Sequence, residues 1–135
     1  MADAMNFDLV CPERSVASFM ATEVQLPGSE GDMTAMINHA PILTTLRPGI
    51  LSASGADGIT EYVVTGRFAE VKPDGVTVLA EQATKRSSFT QEDMDGLIEG
   101  VKARLDLSDE ATQNSAGKTY ADALALAGTL GFSVA

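Results

Sequence analysis

The sequence predicts a mainly β domain, a sandwich or barrel, followed by two helices. Three observations carry this. Short alternating or β-branched apolar runs fill roughly the first two thirds of the chain. Strong turn signals separate them. From about Ser87 the apolar period changes from that of a strand to that of a helix.

Taken in order, Phe7, Leu9 and Cys11 alternate with Asp8 and Val10 and stop at Pro12. Met20, Val24 and Leu26 share one parity, opposite Glu23 and Gln25, which puts all three on one face of a second strand ending at Pro27-Gly28. Ile42 and Leu46, separated by Thr44, precede Pro48-Gly49. The β-branched runs Tyr62-Val63-Val64 and Val76-Thr77-Val78-Leu79 follow. Turns are marked at Pro27-Gly28, Gly31-Asp32, Pro48-Gly49, residues 54–58 and Pro73-Asp74-Gly75. Strands this short, with turns this frequent and no helical period between them, favour an antiparallel sheet over a parallel α/β one.

Past Ser87, Thr90 is an N-cap candidate, with Asp93 three residues on and acids in the first turn, where the helix dipole favours them. Met94, Leu97, Ile98, Val101 and Leu105 line one face of a first helix. Residues 108–117 read as a polar connection, and Tyr120, Ala123, Leu124 and Ala127 mark a second helix. Gly96, Gly100 and Gly128 weaken both by about 1 kcal/mol each, so the two stripes need packing partners, most simply in a helical hairpin.

Composition narrows function. The net charge of −10, from nine basic and nineteen acidic residues, disfavours nucleic acid and anionic membrane surfaces and favours basic or neutral protein faces. The N-terminal stretch lacks the pattern of a signal peptide, and no apolar run is long enough to span a bilayer. One cysteine excludes an internal disulfide and suits a reducing compartment. The expectation is an acidic cytoplasmic protein without direct membrane insertion.

Catalytic parts are sparse. Cys11 lies on the apolar parity of its strand and reads as a small buried hydrophobe. His39, in a loop entering a strand, lacks the companions of a metal site. Gly28-Ser29-Glu30-Gly31 lacks the lysine of a phosphate loop and carries an acid where phosphate would sit, so it reads as a turn or contact loop. Glu92, Asp93, Asp95 and Glu99 read as a solvated helix face. No cofactor, metal or catalytic residue is expected, and a binding or connecting role is left by elimination.

Two blocks go further. In residues 28–49, Gly28, Gly31, His39, Pro41, Ile42, Leu43, Thr44, Pro48 and Gly49 stand in a Gly-x-x-Gly turn, a His-x-Pro, two aliphatic residues, Thr and a Pro-Gly turn. In residues 66–83, Gly66, Phe68, Glu70, Val71, the run Val76 to Glu81, and Ala83 form a second pattern. In this order and spacing they resemble the epsilon subunit family of bacterial F-type ATP synthases, equivalent to mitochondrial delta. Arg67 departs from the family's second glycine, and Met33 and Ala35 loosen the match.

The resemblance implies a ten-stranded antiparallel β-sandwich over residues 1–86, binding the gamma subunit and the c-ring, and an antiparallel two-helix hairpin over residues 87–135. It implies a non-catalytic rotor subunit of the central stalk, peripheral on the cytoplasmic face of the bacterial inner (plasma) membrane, coupling c-ring rotation to the catalytic head through gamma. Ser29, Glu30, Gly31 and Asp32 match the segment facing the polar loops of the c-ring, and His39 a position near the same surface. A basic loop residue on the ring would complement Glu30 and Asp32.

Some family members bind ATP where the first helix starts, but Asp93 stands at the position of the required arginine and would repel phosphate. In others the hairpin inhibits hydrolysis through basic residues meeting the catalytic beta subunit. Here three basic residues from Ser88 onward face eight acidic ones, a net of −5, so any such contact and its inhibition should be weak or absent. The alternative from another class is a free-standing β-sandwich ligand-binding module.

Overall fold

A computed structural model describes residues 4–134 and divides into two compact units, the first ending at Ser87 and the second beginning at Ser88. The first holds nine strands among the described residues: β1 (Met5–Cys11), β2 (Arg14–Gly28), β3 (Gly31–Met36), β4 (Ile42–Thr45), β5 (Gly49–Gly55), β6 (Gly58–Thr65), β7 (Phe68–Lys72), β8 (Gly75–Leu79) and β9 (Gln82–Lys85). The second holds α1 (Gln91–Asp106) and α2 (Gln113–Leu130).

The strands form one continuous sheet in the order β4-β7-β8-β1-β2-β5-β6-β9, with β3 added to β2. That sheet bends at β2 and closes over itself. The first half of β2 pairs with β1, and the second half with β3 and β5. Phe7 of β1 thereby meets Tyr62 of β6, ring centroids 6.4 Å apart, across the interior of a sandwich.

The expected ten strands become nine because β2 runs through both layers as one strand; counted once in each, it restores five and five. The all-antiparallel expectation is corrected at one ladder, where β1 pairs with β8 in parallel. The chain between them is long enough to return β8 in the same direction, which no hairpin could do.

The bend in β2 sits at a register shift between Ala21 and Glu23. One extra residue there exchanges the inner and outer faces. Val24 and Leu26 are buried as expected, but Met20 is 51% exposed and its neighbour Phe19 packs inward instead, its ring 5.1 Å from that of Phe7. The Thr22 hydroxyl donates to the Ser54 carbonyl at the bulge. In β1 the alternation holds: Met5, Phe7, Leu9 and Cys11 are buried while Asn6 is exposed. One apolar cluster, from Met5 to Ala83, fills the sandwich.

In the second unit, Thr90 caps α1 as expected. Its hydroxyl accepts from the Asp93 amide at 3.1 Å, and the Asp93 carboxylate accepts from the Thr90 amide at 2.9 Å. Met94, Leu97 and Val101 are buried. The expected connection over residues 108–117 is shorter: α2 already begins at Gln113, and Gly117 lies within it. Its buried residues are Ala123, Leu126 and Ala127, a stripe that includes Leu126 rather than Tyr120 or Leu124.

The helices run antiparallel. Phe89 stacks obliquely on Phe132 at 6.0 Å, and Gln91 exchanges hydrogen bonds with the Ser133 backbone at 2.8 and 3.0 Å. Gly131, at φ 77°, ends α2. The Phe132 amide returns to the Ala127 carbonyl and the Gly131 amide to Gly128, a Schellman closure that a residue with a Cβ would strain.

Candidate functional site

The β2–β3 hairpin carries four of the expected interface residues. Gly28 faces Gly31 in the last pair of the ladder, leaving Ser29 and Glu30 as a two-residue turn. Both glycines are required. Gly31 sits at φ +140°, and a Cβ on Gly28 would come within 2.6 Å of the Gly31 carbonyl oxygen. Glu30, Gly31 and Asp32 are exposed, whereas Ser29 is half-buried.

The last residue of β4 and the segment after it hold this turn in place. The Ser29 amide donates to the Thr45 carbonyl at 2.9 Å, and the hydroxyls of the same two residues lie 2.5 Å apart. Gly28 bridges to Leu46, and the Arg47 amide donates to the Pro27 carbonyl at 3.0 Å. The Arg47 guanidinium then donates through one nitrogen to the Gly28 carbonyl and through the other to the Asp32 carboxylate. Sequence reasoning missed Arg47 and Thr45. An arginine just before Pro48-Gly49 in so acidic a chain was the available signal, but its partner lies fifteen residues away.

Other connections share this end of the sandwich. The Leu46 amide donates to the Arg67 carbonyl at 3.1 Å, and the Glu81 amide to the Thr65 carbonyl at 3.1 Å. Gly66 lies against Leu46 so closely that a Cβ would come within 2.3 Å of its carbonyl oxygen. Arg67, the departure from the family's glycine pair, has no positive φ and is exposed, so the turn accepts it unstrained and presents a cation.

His39 is not brought to the turn. It lies beyond Met36, and the five residue steps of β3 from Gly31 to Met36 span about 17 Å. Its amide donates to the Met36 carbonyl at 3.1 Å and its Nδ1 lies 2.7 Å from the Ala40 carbonyl. The preceding Asn38, at φ 66°, donates its amide to the Pro73 carbonyl at 2.7 Å, tying this loop to the β7–β8 turn at the opposite end.

Chemically, the turn can offer carboxylate charge and backbone polar groups on a stiff base. Cys11 is buried. Among the described residues no cluster of three or more His, Cys, Asp or Glu is placed to hold a metal ion. No described helix is long and apolar enough to cross a membrane. Asp93 is engaged in capping α1.

Comparisons with known proteins agree with this architecture. The family model described as the β-sandwich domain of the ATP synthase delta/epsilon chain matches residues 4–86. The ATP synthase epsilon chain of Ruegeria sp. (strain TM1040) is 51% identical over 131 residues, covering 93% of this chain and 96% of its own length. That of Cereibacter sphaeroides is 47% identical over 131 residues, covering 97% and 99%. Among solved structures, a chain of the Euglena gracilis mitochondrial ATP synthase (OSCP/F1/c-ring) superposes with a TM-score of 0.70 at 21% identity, covering 94% of this chain and 81% of that one. One from the central stalk/c-ring of the Tetrahymena thermophila mitochondrial ATP synthase gives 0.68 at 16%, covering 94% and 96%. At those identities the structures speak for the fold.

Proposed function

The chain belongs to the ATP synthase delta/epsilon family, and from that premise we propose that it is the non-catalytic epsilon subunit of a bacterial F-type ATP synthase. In this role it sits in the central stalk, peripheral to the membrane on its cytoplasmic face, and links the c-ring to the gamma subunit. The observation that carries the reading is kinship over nearly the whole chain, helices included, with relatives that are themselves epsilon chains.

The geometry suits the role. Transmitting torque calls for a body that does not deform, and a sandwich with one close-packed core supplies it. The Ser29–Asp32 turn, braced by residues 45–47, offers acidic groups to polar loops of the ring. The surface charge gives orientation and encounter rate more than raw affinity. The second unit, with its net charge of −5 from Ser88 onward, is a poor match for an acidic segment of the catalytic beta subunit, so inhibition of hydrolysis by this route is weak or absent.

Co-expression with the gamma subunit of the same operon, followed by size exclusion and native mass spectrometry, tests the assignment. A one-to-one complex that survives moderate salt is expected. A chain that stays monomeric beside folded gamma overturns the assignment.

A further inference from the structure

A two-residue turn at the tip of β3 is poorly supported by its own ladder. β3 pairs with β2 alone, and both residues flanking the turn are glycines, the most freely moving backbone available. Yet the turn carries two carboxylates, Glu30 and Asp32, only two positions apart. Left to themselves they would repel each other and loosen the tip.

Arg47 answers both problems at once. Its side chain is 26% exposed, against 79% for Asp32, so the guanidinium is drawn into the body while the carboxylate comes to it from outside. One nitrogen holds the Gly28 carbonyl at the end of β2 and the other holds Asp32 at the start of β3, so a single planar group straddles the hairpin. A lysine could supply the charge but not this fork. Glu30, in contrast, is exposed and lies outside the clamp.

We propose that Arg47 is the positioning residue of the Ser29–Asp32 turn, taking up the Asp32 carboxylate and fixing the hairpin so that Glu30 carries the turn's outward charge toward a basic loop of the ring. The positioning stands on this chain alone; the occupant rests on the rotor reading above. The two acids of the turn are therefore unequal. Asp32 serves shape, and Glu30 serves recognition, with the salt dependence of an exposed pair.

Two measurements test it. In the intact isolated chain, hydrogen exchange at the Ser29 amide, which donates to Thr45, reads the clamp. Arg47→Gln should speed it about tenfold, Arg47→Lys should fall between, and Glu30→Gln should leave it unchanged. An Arg47→Gln exchange rate equal to that of the parent overturns the positioning role. In the assembled complex with gamma and the c-ring, dissociation followed across a salt series reads the charge. Glu30→Gln should weaken binding and flatten its salt dependence, while Asp32→Asn should change the salt dependence little. Equal flattening by the two overturns the division between them. If the parent chain does not bind gamma and the ring at all, the rotor reading falls, and the exchange experiment still decides the role of Arg47.

Discussion

Phe19 and Met20 are adjacent in sequence and opposite in environment. Phe19 is partly buried and packs edge-on to Phe7 against the core, while Met20 is half-exposed on the outer face. The bulge near Thr22 makes the difference, because it inverts the alternation that Val24 and Leu26 continue. Phe19→Ala should therefore cost about 2–4 kcal/mol of stability, the toll of a cavity beside Phe7. Met20→Ala should stay within about 0.5 kcal/mol. Urea unfolding of the full chain measures both, and comparable losses would refute the inversion. Period-two reading succeeded at Phe7, Leu9 and Cys11 because the irregularity in their ladder, between Leu9 and Val10, puts its extra residue, Val16, on β2 and leaves β1 regular. It failed at Met20 because an extra residue in a ladder leaves no mark on apolar spacing. The site divides in the same way. The turn between Gly28 and Gly31 was legible because turn chemistry is local, whereas Arg47 acts across fifteen positions that only the closed sheet brings together.

Among the elements, both helices were legible, but the start of α1 was marked by its cap and the start of α2 was not. Thr90 and Asp93 announce the start of α1 and form the reciprocal pair expected of them. The start of α2 depends on a tighter local device. The Thr112 hydroxyl and amide both donate to the Asp109 carboxylate at 3.0 Å, and the Asp109 amide returns to the Thr112 hydroxyl at 3.2 Å. A run of polar residues looked like loop because its hydrogen bonds, rather than any apolar stripe, end the connection. These bonds, the hydroxyl first and then the amide, hold the Asp109 carboxyl below its usual range. A carboxyl whose folded pKa lies below its unfolded one, about 4, stabilises the fold above that unfolded value. That contribution is lost as pH falls through the lower, folded value. Thr112→Val removes the hydroxyl and keeps the amide, so the Asp109 titration, followed by NMR of the carboxyl carbon, should move up toward the ordinary value. The start of α2 should then fray at a less acidic pH than in the parent. A titration unmoved by the substitution would show that the hydroxyl is not what lowers it.

For the whole molecule, the division at Ser87 and Ser88 separates two kinds of work. The apolar cluster of the first unit is drawn entirely from residues between Met5 and Ala83, so the sandwich keeps that core without the helices. The second unit is closed on itself through Phe89 with Phe132 and Gln91 with Ser133. Extending it along a partner would break these links, and its net charge of −5 gives an acidic partner segment no return for doing so. A regulatory contact of ordinary strength is worth about 1–3 kcal/mol, or roughly 5–150-fold in the equilibrium it biases. Deleting residues 88–135 should therefore leave assembly with gamma intact and raise ATP hydrolysis by the assembled enzyme less than about fivefold, below that range. Hydrolysis rates of complexes reconstituted with the full and shortened chains, matched for epsilon content, make the comparison. A rise well beyond that bound would mean the acidic hairpin inhibits through contacts its charge does not suggest. The search would then turn to its apolar side chains, beginning with Leu107, 87% exposed beyond the end of α1.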